Sequence, residues 1–347
     1  MGLGRTLLFR SFNMFLVLFA ILFITVILLD STFDRQQKEA IRNQVIEEVS
    51  QGTLKFENSA ERSSYINNQI QFREKTSGLD QDSLNPSILI HRVISVITFD
   101  LGKSSFFTTD YGSSNVKDII FEKVPKTLLL FTTATICAFV IGIFLGTYVA
   151  GKEGSWWDKF NSNSAIFSNS FPSWWIAMLM ILIFAFTLHI FPSRATPLSS
   201  PSDPTYIVDL LYHMALPLIT LIIVSFGGVA YIVRYFLINI LNEDFIHAKR
   251  TMGISRRKIL YSHALRNAGP PIATTVGLAL AASFGGAIIL EAVFDWPGMG
   301  KLYYDAIGLY DVPIIIGLTF ISTVIFLVTI FITDISYTLL DPRVKGN

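Results

Sequence analysis

The stretch TLLLFTTATICAFVIGIFLGTYV, residues 127–149, decides the fold class. It contains no Asp, Glu, Lys or Arg, and at a helical rise of ~1.5 Å per residue it can cross a hydrocarbon core of about 30 Å. Because lipid offers the backbone no hydrogen-bond partner, a helix is the expected structure. Similar apolar stretches predict five more spans and hence an all-α polytopic membrane protein. They are Phe12–Leu29, Phe171–Ile190, Met214–Val233, Ile272–Phe294 and Val312–Thr333.

The composition of the 347-residue chain agrees with this prediction. Hydrophobic residues make up 51% and charged residues 15%, whereas a soluble domain has about 25% charged residues. This excludes a nucleic-acid binder, a disordered tail protein and a typical cytosolic enzyme. The net charge of +1 gives no bulk attraction to an acidic partner. The single cysteine, Cys137, allows no intrachain disulfide, and we expect no metal site.

The first span has two interpretations. Arg5 and Arg10 precede its apolar core, as in a secretory signal peptide. The core is longer than the roughly 7–15 residues of a typical signal peptide, however, and it is not followed by a small-residue cleavage site. We therefore predict an uncleaved transmembrane anchor over residues 1–30.

The distribution of Lys and Arg predicts the orientation in the cell (inner) membrane. With the amino terminus inside, the short outer loops contain only Arg194 and Lys301. Six spans then leave both termini in the cytoplasm. The long outer segment, residues 31–120, should fold as a small extracytoplasmic helical cap, because apolar residues recur at helical spacing within it. The predicted helices are Asp34–Ser50, Glu61–Lys75 and Ile88–Phe99.

The six apolar cores lack the ionisable groups that usually bind a coupling ion in gradient-driven carriers, although backbone carbonyls could still bind sodium. The chain has no His-Glu-x-x-His and no Gly-x-Ser-x-Gly motif. Residues 146–153 approach a phosphate-binding loop, but Glu153 replaces the Ser or Thr that would hold magnesium. We therefore expect neither an enzyme nor a nucleotide site in this chain.

A segment between the fourth and fifth spans, residues 239–271, carries the functional signal. Asp244 is a candidate cap for a helix ending at Met252, and Gly253 supplies a left-handed stop. Ser255 is expected to cap a second helix, and Pro270-Pro271 should end the loop and start the fifth span.

Phe245, Ala248 and Met252 fall on one face of the first of these helices, and small and apolar residues there suit docking into a groove of a partner. On composition alone, an interfacial helix pair that merely satisfies the charge rule is an equal alternative.

This segment resembles the EAA loop of ABC importer permeases, in the version found in the dipeptide/oligopeptide permease family. Lys249 and Met252 depart from that version, in which alanine and lysine are usual. The matching residues are Asp244, Phe245, Arg250, Gly253, His263, Leu265, Arg266, Asn267, Ala268 and Pro271. Further matches are Asp100–Ser104, Pro125, Thr127, Arg234, Gly285, Gly286, Glu291, Val293, Phe294, Pro297, Gly298, Gly300, Asp311, Pro313, Asp334, Tyr337 and Asp341–Arg343. Asp34–Asn85 matches poorly.

The resemblance implies a type I ABC importer permease fold with six transmembrane helices, of which residues 121–347 would form a five-helix core. It implies a heterodimer with a second permease, two cytoplasmic ATPases that bind the ATP and Mg, and an extracytoplasmic solute-binding protein. This chain would bind no cofactor and no nucleic acid. Peptide is the first expectation for the substrate, and oligosaccharide or nickel and its chelates are alternatives.

The resemblance also implies two sets of site residues. ATPase coupling would involve Asp244, Phe245, Ala248, Arg250, Met252, Gly253, Arg256, His263, Arg266 and Asn267. A possible pathway or gate would include Gly285, Gly286, Glu291, Phe294, Trp296 and Pro297.

Structural roles compete with these functional ones. For Glu291 we favour a structural role over substrate contact, and for His263 a packed or hydrogen-bonded role over metal binding. Asp334 is expected to cap or pair with the cytoplasmic loop. Two other functional classes stay open, a gradient-driven carrier or channel and a membrane anchor or scaffold.

The predicted orientation is testable with single cysteines. We expect Ser59→Cys to react with an impermeant thiol reagent on intact cells, and Ser255→Cys to react only after permeabilisation, because the Lys and Arg bias places these two residues on opposite sides. Labelling of Ser255→Cys in intact cells would contradict the six-span topology.

Overall fold

The structure, a computed structural model, describes residues 3–51, 58–76 and 86–340. Helices form most of this part of the chain, which also contains an isolated antiparallel bridge between Lys103 and Asn115. The helices are α1 Leu3–Gln51, α2 Ser59–Thr76, α3 Pro86–Ile97, α4 Val116–Ala150, α5 Trp156–Ser170, α6 Ser173–Met180, α7 Tyr206–Leu241, α8 Asp244–Thr251, α9 Arg256–Lys258, α10 Leu265–Ser283, α11 Ile288–Phe294, α12 Met299–Leu309 and α13 Val312–Leu340. Two π-helical stretches, Ile181–Thr187 and Ile259–Ala264, continue α6 and join α9 to α10.

The helices supply up to six candidate membrane spans, which agrees with the prediction. Four are single helices, and two more arise if each bent helix pair forms one span. The single helices are Leu8–Leu29, Val116–Ala150, Tyr206–Leu241 and Val312–Thr333. The bent pairs are Trp156–Ser168 with Ser173–Thr187 and Arg256–Ser283 with Ile288–Phe294.

The third and fifth predicted spans, Phe171–Ile190 and Ile272–Phe294, overlap with the two bent helix pairs. The first bent pair turns by 102° at Phe171 and Pro172, both of which have extended backbone, because a proline disfavours the helical conformation in the residue before it. The second pair turns by 64° between Ser283 and Ile288, where Gly286 has a φ of +64°. Hydropathy alone cannot locate such bends, since the apolar run continues through them.

The apolar span of the anchor ends at Leu29, close to the predicted residue 30, but the helix itself does not end there. α1 continues without a break from Leu3 to Gln51 and includes the predicted Asp34–Ser50 helix. The physical reason is that neither glycine nor proline occurs between Gly4 and Gly52, so nothing interrupts the helix where its composition changes from apolar to charged. The other two helices predicted for this region correspond to α2 and α3.

The chain divides into two compact units. Of the described residues, the first comprises 3–7, 121–305 and 324–340, and the second comprises 8–51, 58–76, 86–120 and 306–323. Two apolar clusters form the core of the first unit. One contains Leu130, Phe131, Ala177, Ala195, Met214, Leu216, Leu290, Phe294 and Trp296. The other contains Ala150, Val233, Leu237, Leu260, Ala264, Ala268 and Ile272.

Glycine allows α4 and α7 to approach closely in the first unit. A Cβ atom on Gly146 would lie 2.5 Å from the carbonyl oxygen of Ala230, a distance that no larger residue could keep. Gly146 is therefore a packing residue inside α4.

In the second unit, Asp311 connects two segments that are far apart in sequence. Its buried carboxylate accepts a hydrogen bond of 2.6 Å from the Ser104 hydroxyl and one of 3.3 Å from the Ser105 backbone N–H. Ser104 and Asp311 belong to separate motifs of the family pattern, and the structure brings those motifs together.

Candidate functional site

The 239–271 segment starts with the short helix α8. The sequence predicted Asp244 as its N-cap, but the structure places Glu243 there, with extended backbone and without a side-chain cap bond. Asp244 instead occupies the first turn, where a negative charge is favoured by the helix dipole.

Gly253 ends α8 as predicted. Its φ is +76°, and a Cβ atom at this position would meet nothing within 4 Å. The left-handed backbone, and not lack of space, is therefore what requires glycine here. Ser255 then occupies the N-cap position of α9, also as predicted, although its side chain makes no cap bond.

The prediction that Pro270-Pro271 ends the loop is wrong. Both prolines lie inside α10, so the helical path runs from Arg256 to Ser283. Prolines are tolerated inside membrane helices because neighbouring groups satisfy the backbone atoms that they free.

This continuity fixes the segment to the core. Leu260, Ala264 and Ala268 share an apolar cluster with Val233 and Leu237 of α7. Ile246 of α8 and Ile259 are also buried. A displacement of the segment would therefore press directly on α7 and α10.

The predicted coupling residues form the accessible part of the same segment. Met252 is 76% exposed, Ala248 is exposed and Phe245 is half-buried. His263 is half-buried as well. The remaining members are exposed, namely Asp244, Arg250, Gly253, Arg256, Arg266 and Asn267.

Lys249 makes a contact that the sequence did not predict. Its Nζ lies 2.8 Å from Nδ1 of His263, which joins α8 to the following π-helical stretch. A lysine ammonium can only donate, so His263 accepts through Nδ1. His263 is thus hydrogen-bonded, the role we favoured, and its partner is one of the two residues that depart from the family pattern.

A turn at residues 151–154 supports the segment from the side. Nη2 of Arg256 donates to the Gly151 carbonyl at 2.7 Å. The Gly154 N–H donates to Oδ2 of Asp158 at 2.9 Å, and Arg234 of α7 forms an ion pair with the same carboxylate. Arg234, a family-pattern residue, therefore holds α5 and this turn against α7.

A second cluster surrounds Glu291, and we name Thr127, Glu291, Met299, Gly300 and Lys301 the Glu291 cluster. Glu291 is fully buried. Its Oε2 accepts from the Gly300 N–H at 2.9 Å and from the Lys301 N–H at 3.3 Å. Thr127 donates to its Oε1 at 3.1 Å and accepts from the Met299 N–H at 2.7 Å. The carboxylate thus holds the start of α12 against α4.

The six candidate pathway residues differ in exposure within this chain. Glu291, Phe294 and Trp296 are buried, and the indole of Trp296 donates to the Lys126 carbonyl at 3.1 Å. Gly286 and Pro297 are half-buried, and Gly285 is exposed. These contacts favour structural roles for Glu291 and Trp296, and a pathway role for the set stays a prediction. The predictions for the Asp334 side chain and Asp341–Arg343 lie outside the described residues.

Comparison with known proteins identifies the family. Residues 139–346 match the family described as "Binding-protein-dependent transport system inner membrane component". The chain belongs to this family. It is therefore a multi-pass permease subunit, the membrane transport component of a binding-protein-dependent ABC importer.

The permease has curated relatives in bacteria. It is 31% identical to the oligopeptide transport system permease protein AppB of Bacillus subtilis over 68% of this chain and 76% of that protein. It is 33% identical to the dipeptide transport system permease protein DppB of the same organism over 72% and 76%. A solved structure of the MetNI methionine ABC transporter in inward-facing conformations matches with a TM-score of 0.51 at 17% identity, covering 66% of this chain and 99% of that chain. The latter match supports the type I permease fold.

The geometry of the Glu291 cluster predicts that removal of the Thr127 hydroxyl lowers the stability of the fold. Thr127→Val keeps the side-chain shape but leaves the buried Met299 N–H without an acceptor and removes one donor to Glu291. We expect the free energy of unfolding to fall by about 1–3 kcal/mol, measured by denaturation of the purified permease in detergent. Thr127→Ser retains the hydroxyl and is the matched control. Equal stability of the Val and Ser variants would contradict this role of the cluster.

Proposed function

We propose that this permease imports di- and oligopeptides that an extracytoplasmic solute-binding protein delivers, and that two cytoplasmic ATPases drive the transport through the 239–271 segment. The supporting observation is the division of that segment into an accessible face and a buried base. Met252 and Ala248 are exposed and Phe245 is half-buried, so they are available to a partner, whereas Leu260 and Ala264 pack into the apolar core of the first unit.

In the proposed mechanism, movement of the ATPases is transmitted mechanically to the membrane helices as the transporter changes between two states. ATP binding would close the partner ATPases and move α8, and the Gly253 turn and the Lys249–His263 contact would pass this movement to α10. Such coupling requires that the partner makes different contacts in the two states. ATP and Mg²⁺ would be bound by the ATPases, and this chain would bind no cofactor.

The proposed assembly is a heterodimer with a second, similar permease, and the solute would pass between the two. The termini of this chain would lie in the cytoplasm with the 239–271 segment, and the helices of the 31–120 region would form the extracytoplasmic cap. The names of the relatives AppB and DppB favour a peptide substrate. An oligosaccharide or a nickel chelate is the alternative, and a binding assay on the cognate solute-binding protein would distinguish them.

Gly253 provides the test of coupling. We expect Gly253→Val to lower the ATP hydrolysis that loaded binding protein stimulates in the assembled transporter, because a β-branched residue at positive φ costs roughly 1–2 kcal/mol and would shift α8. Gly253→Asn is the matched control, since asparagine tolerates this conformation. Membrane insertion should survive in both variants. Normal stimulated hydrolysis in Gly253→Val would argue against coupling through this segment.

A further inference from the structure

A cavity of about 240 Å³ lies beside the 239–271 segment, entirely within the first unit. It opens between the 151–154 turn, the end of α7 and the start of the helical path at Arg256. The polar side chains that line it are Glu153, Asn242, Arg250 and Arg256, and its apolar wall includes Leu260. Pockets for drug-sized ligands measure roughly 300–1,000 Å³, so this cavity suits a smaller group.

The charge of the lining favours an anion. Arg250 donates to the Leu241 carbonyl at 3.4 Å, and Arg256 donates to the Gly151 carbonyl at 2.7 Å. In the part of the chain that the structure describes, neither guanidinium forms an ion pair with a carboxylate. A guanidinium has five N–H donors in a fork that matches phosphate, so most donors of both residues stay available. Two guanidiniums and the exposed carboxylate of Glu153 give the lining a formal charge of +1.

Aromatic side chains next to the cavity indicate its depth in the membrane. Trp156, Trp157 and Phe160 follow the 151–154 turn and are exposed, with ring centroids of Trp156 and Phe160 5.6 Å apart. On the other side of the turn, Nζ of Lys152 lies 4.3 Å from the centroid of the Tyr148 ring. Exposed Trp and Tyr with an adjacent Lys are typical of the membrane–water interface, at the level of the headgroups.

We propose that this cavity binds the phosphate of an anionic phospholipid headgroup, such as that of phosphatidylglycerol. Basic pockets between membrane helices are known to bind anionic headgroups on the cytoplasmic side. Arg250 and Arg256 would hold the phosphate oxygens, and Leu260 and its apolar neighbours would contact the start of the acyl chains. The bound lipid would connect α8, through Arg250, with the 151–154 turn.

Lipid retention by the full-length permease tests this proposal without any partner subunit. The permease is purified in detergent, titrated with phosphatidylglycerol or phosphatidylcholine, and the bound lipid is counted by native mass spectrometry. We expect preferential binding of phosphatidylglycerol, and at least a tenfold weaker affinity in Arg250→Gln and in the double variant Arg250→Gln/Arg256→Gln. Arg257→Gln makes the same charge change at a residue that does not line the cavity, and it should bind as the wild type does.

Several results would overturn the proposal. One is an equal loss of affinity in Arg257→Gln, which would mean a diffuse charge effect. Another is competition by millimolar inorganic phosphate that removes the lipid preference, which would mean a site for free phosphate. A third is unchanged lipid binding with loss of ATPase association in the Arg250 variant, which would assign the cavity to a protein partner. Because lipid binding is measured on the permease alone, failure here leaves the coupling test with Gly253 unaffected.

Discussion

Buried carboxylates close the breaks between the apolar helices, and the rest of the structure depends on them. Where a helix ends near lipid, its backbone N–H groups need acceptors inside the protein. Glu291 accepts from Gly300 and Lys301, and Asp158 accepts from Gly154. Asp311 accepts from Ser105 and Phe106. Each carboxylate thereby fixes a loop to a helix.

This arrangement is consistent with the proposed role of the 239–271 segment, in which partner ATPases would move it as a mechanical part. Hydrogen bonds of Asp158, Arg234 and Arg256 join the 151–154 turn, which lies beside the 239–271 segment, to α5, α7 and the start of the helical path at Arg256. The segment itself is continuous with α10 and buried through Leu260 and Ala264. A force applied to the exposed face of this segment would therefore be transmitted directly to α10 and to the helices that pack against Leu260 and Ala264.

Hydropathy and local turn chemistry predicted what depends on neighbours in sequence. The candidate spans, up to six of them, follow from apolar runs, and the positive φ of Gly253 follows from helix-stop chemistry. The continuity of α1 and the position of the prolines inside α10 were not predicted, because a change from apolar to charged residues does not itself end a helix and neighbouring groups can accommodate proline within one. The pairs Thr127–Glu291 and Ser104–Asp311 are 164 and 207 residues apart. Their residues were recognised in the family pattern, but no local signal could pair them.

The most direct test of the account is transport in proteoliposomes. The permease is reconstituted with the second permease and the ATPases of its system, and accumulation of a labelled oligopeptide is followed with the loaded binding protein outside. We predict accumulation that requires both ATP and the binding protein and is independent of a proton or sodium gradient. Accumulation driven by an ion gradient in vesicles that contain the permease but no ATPase would contradict the account.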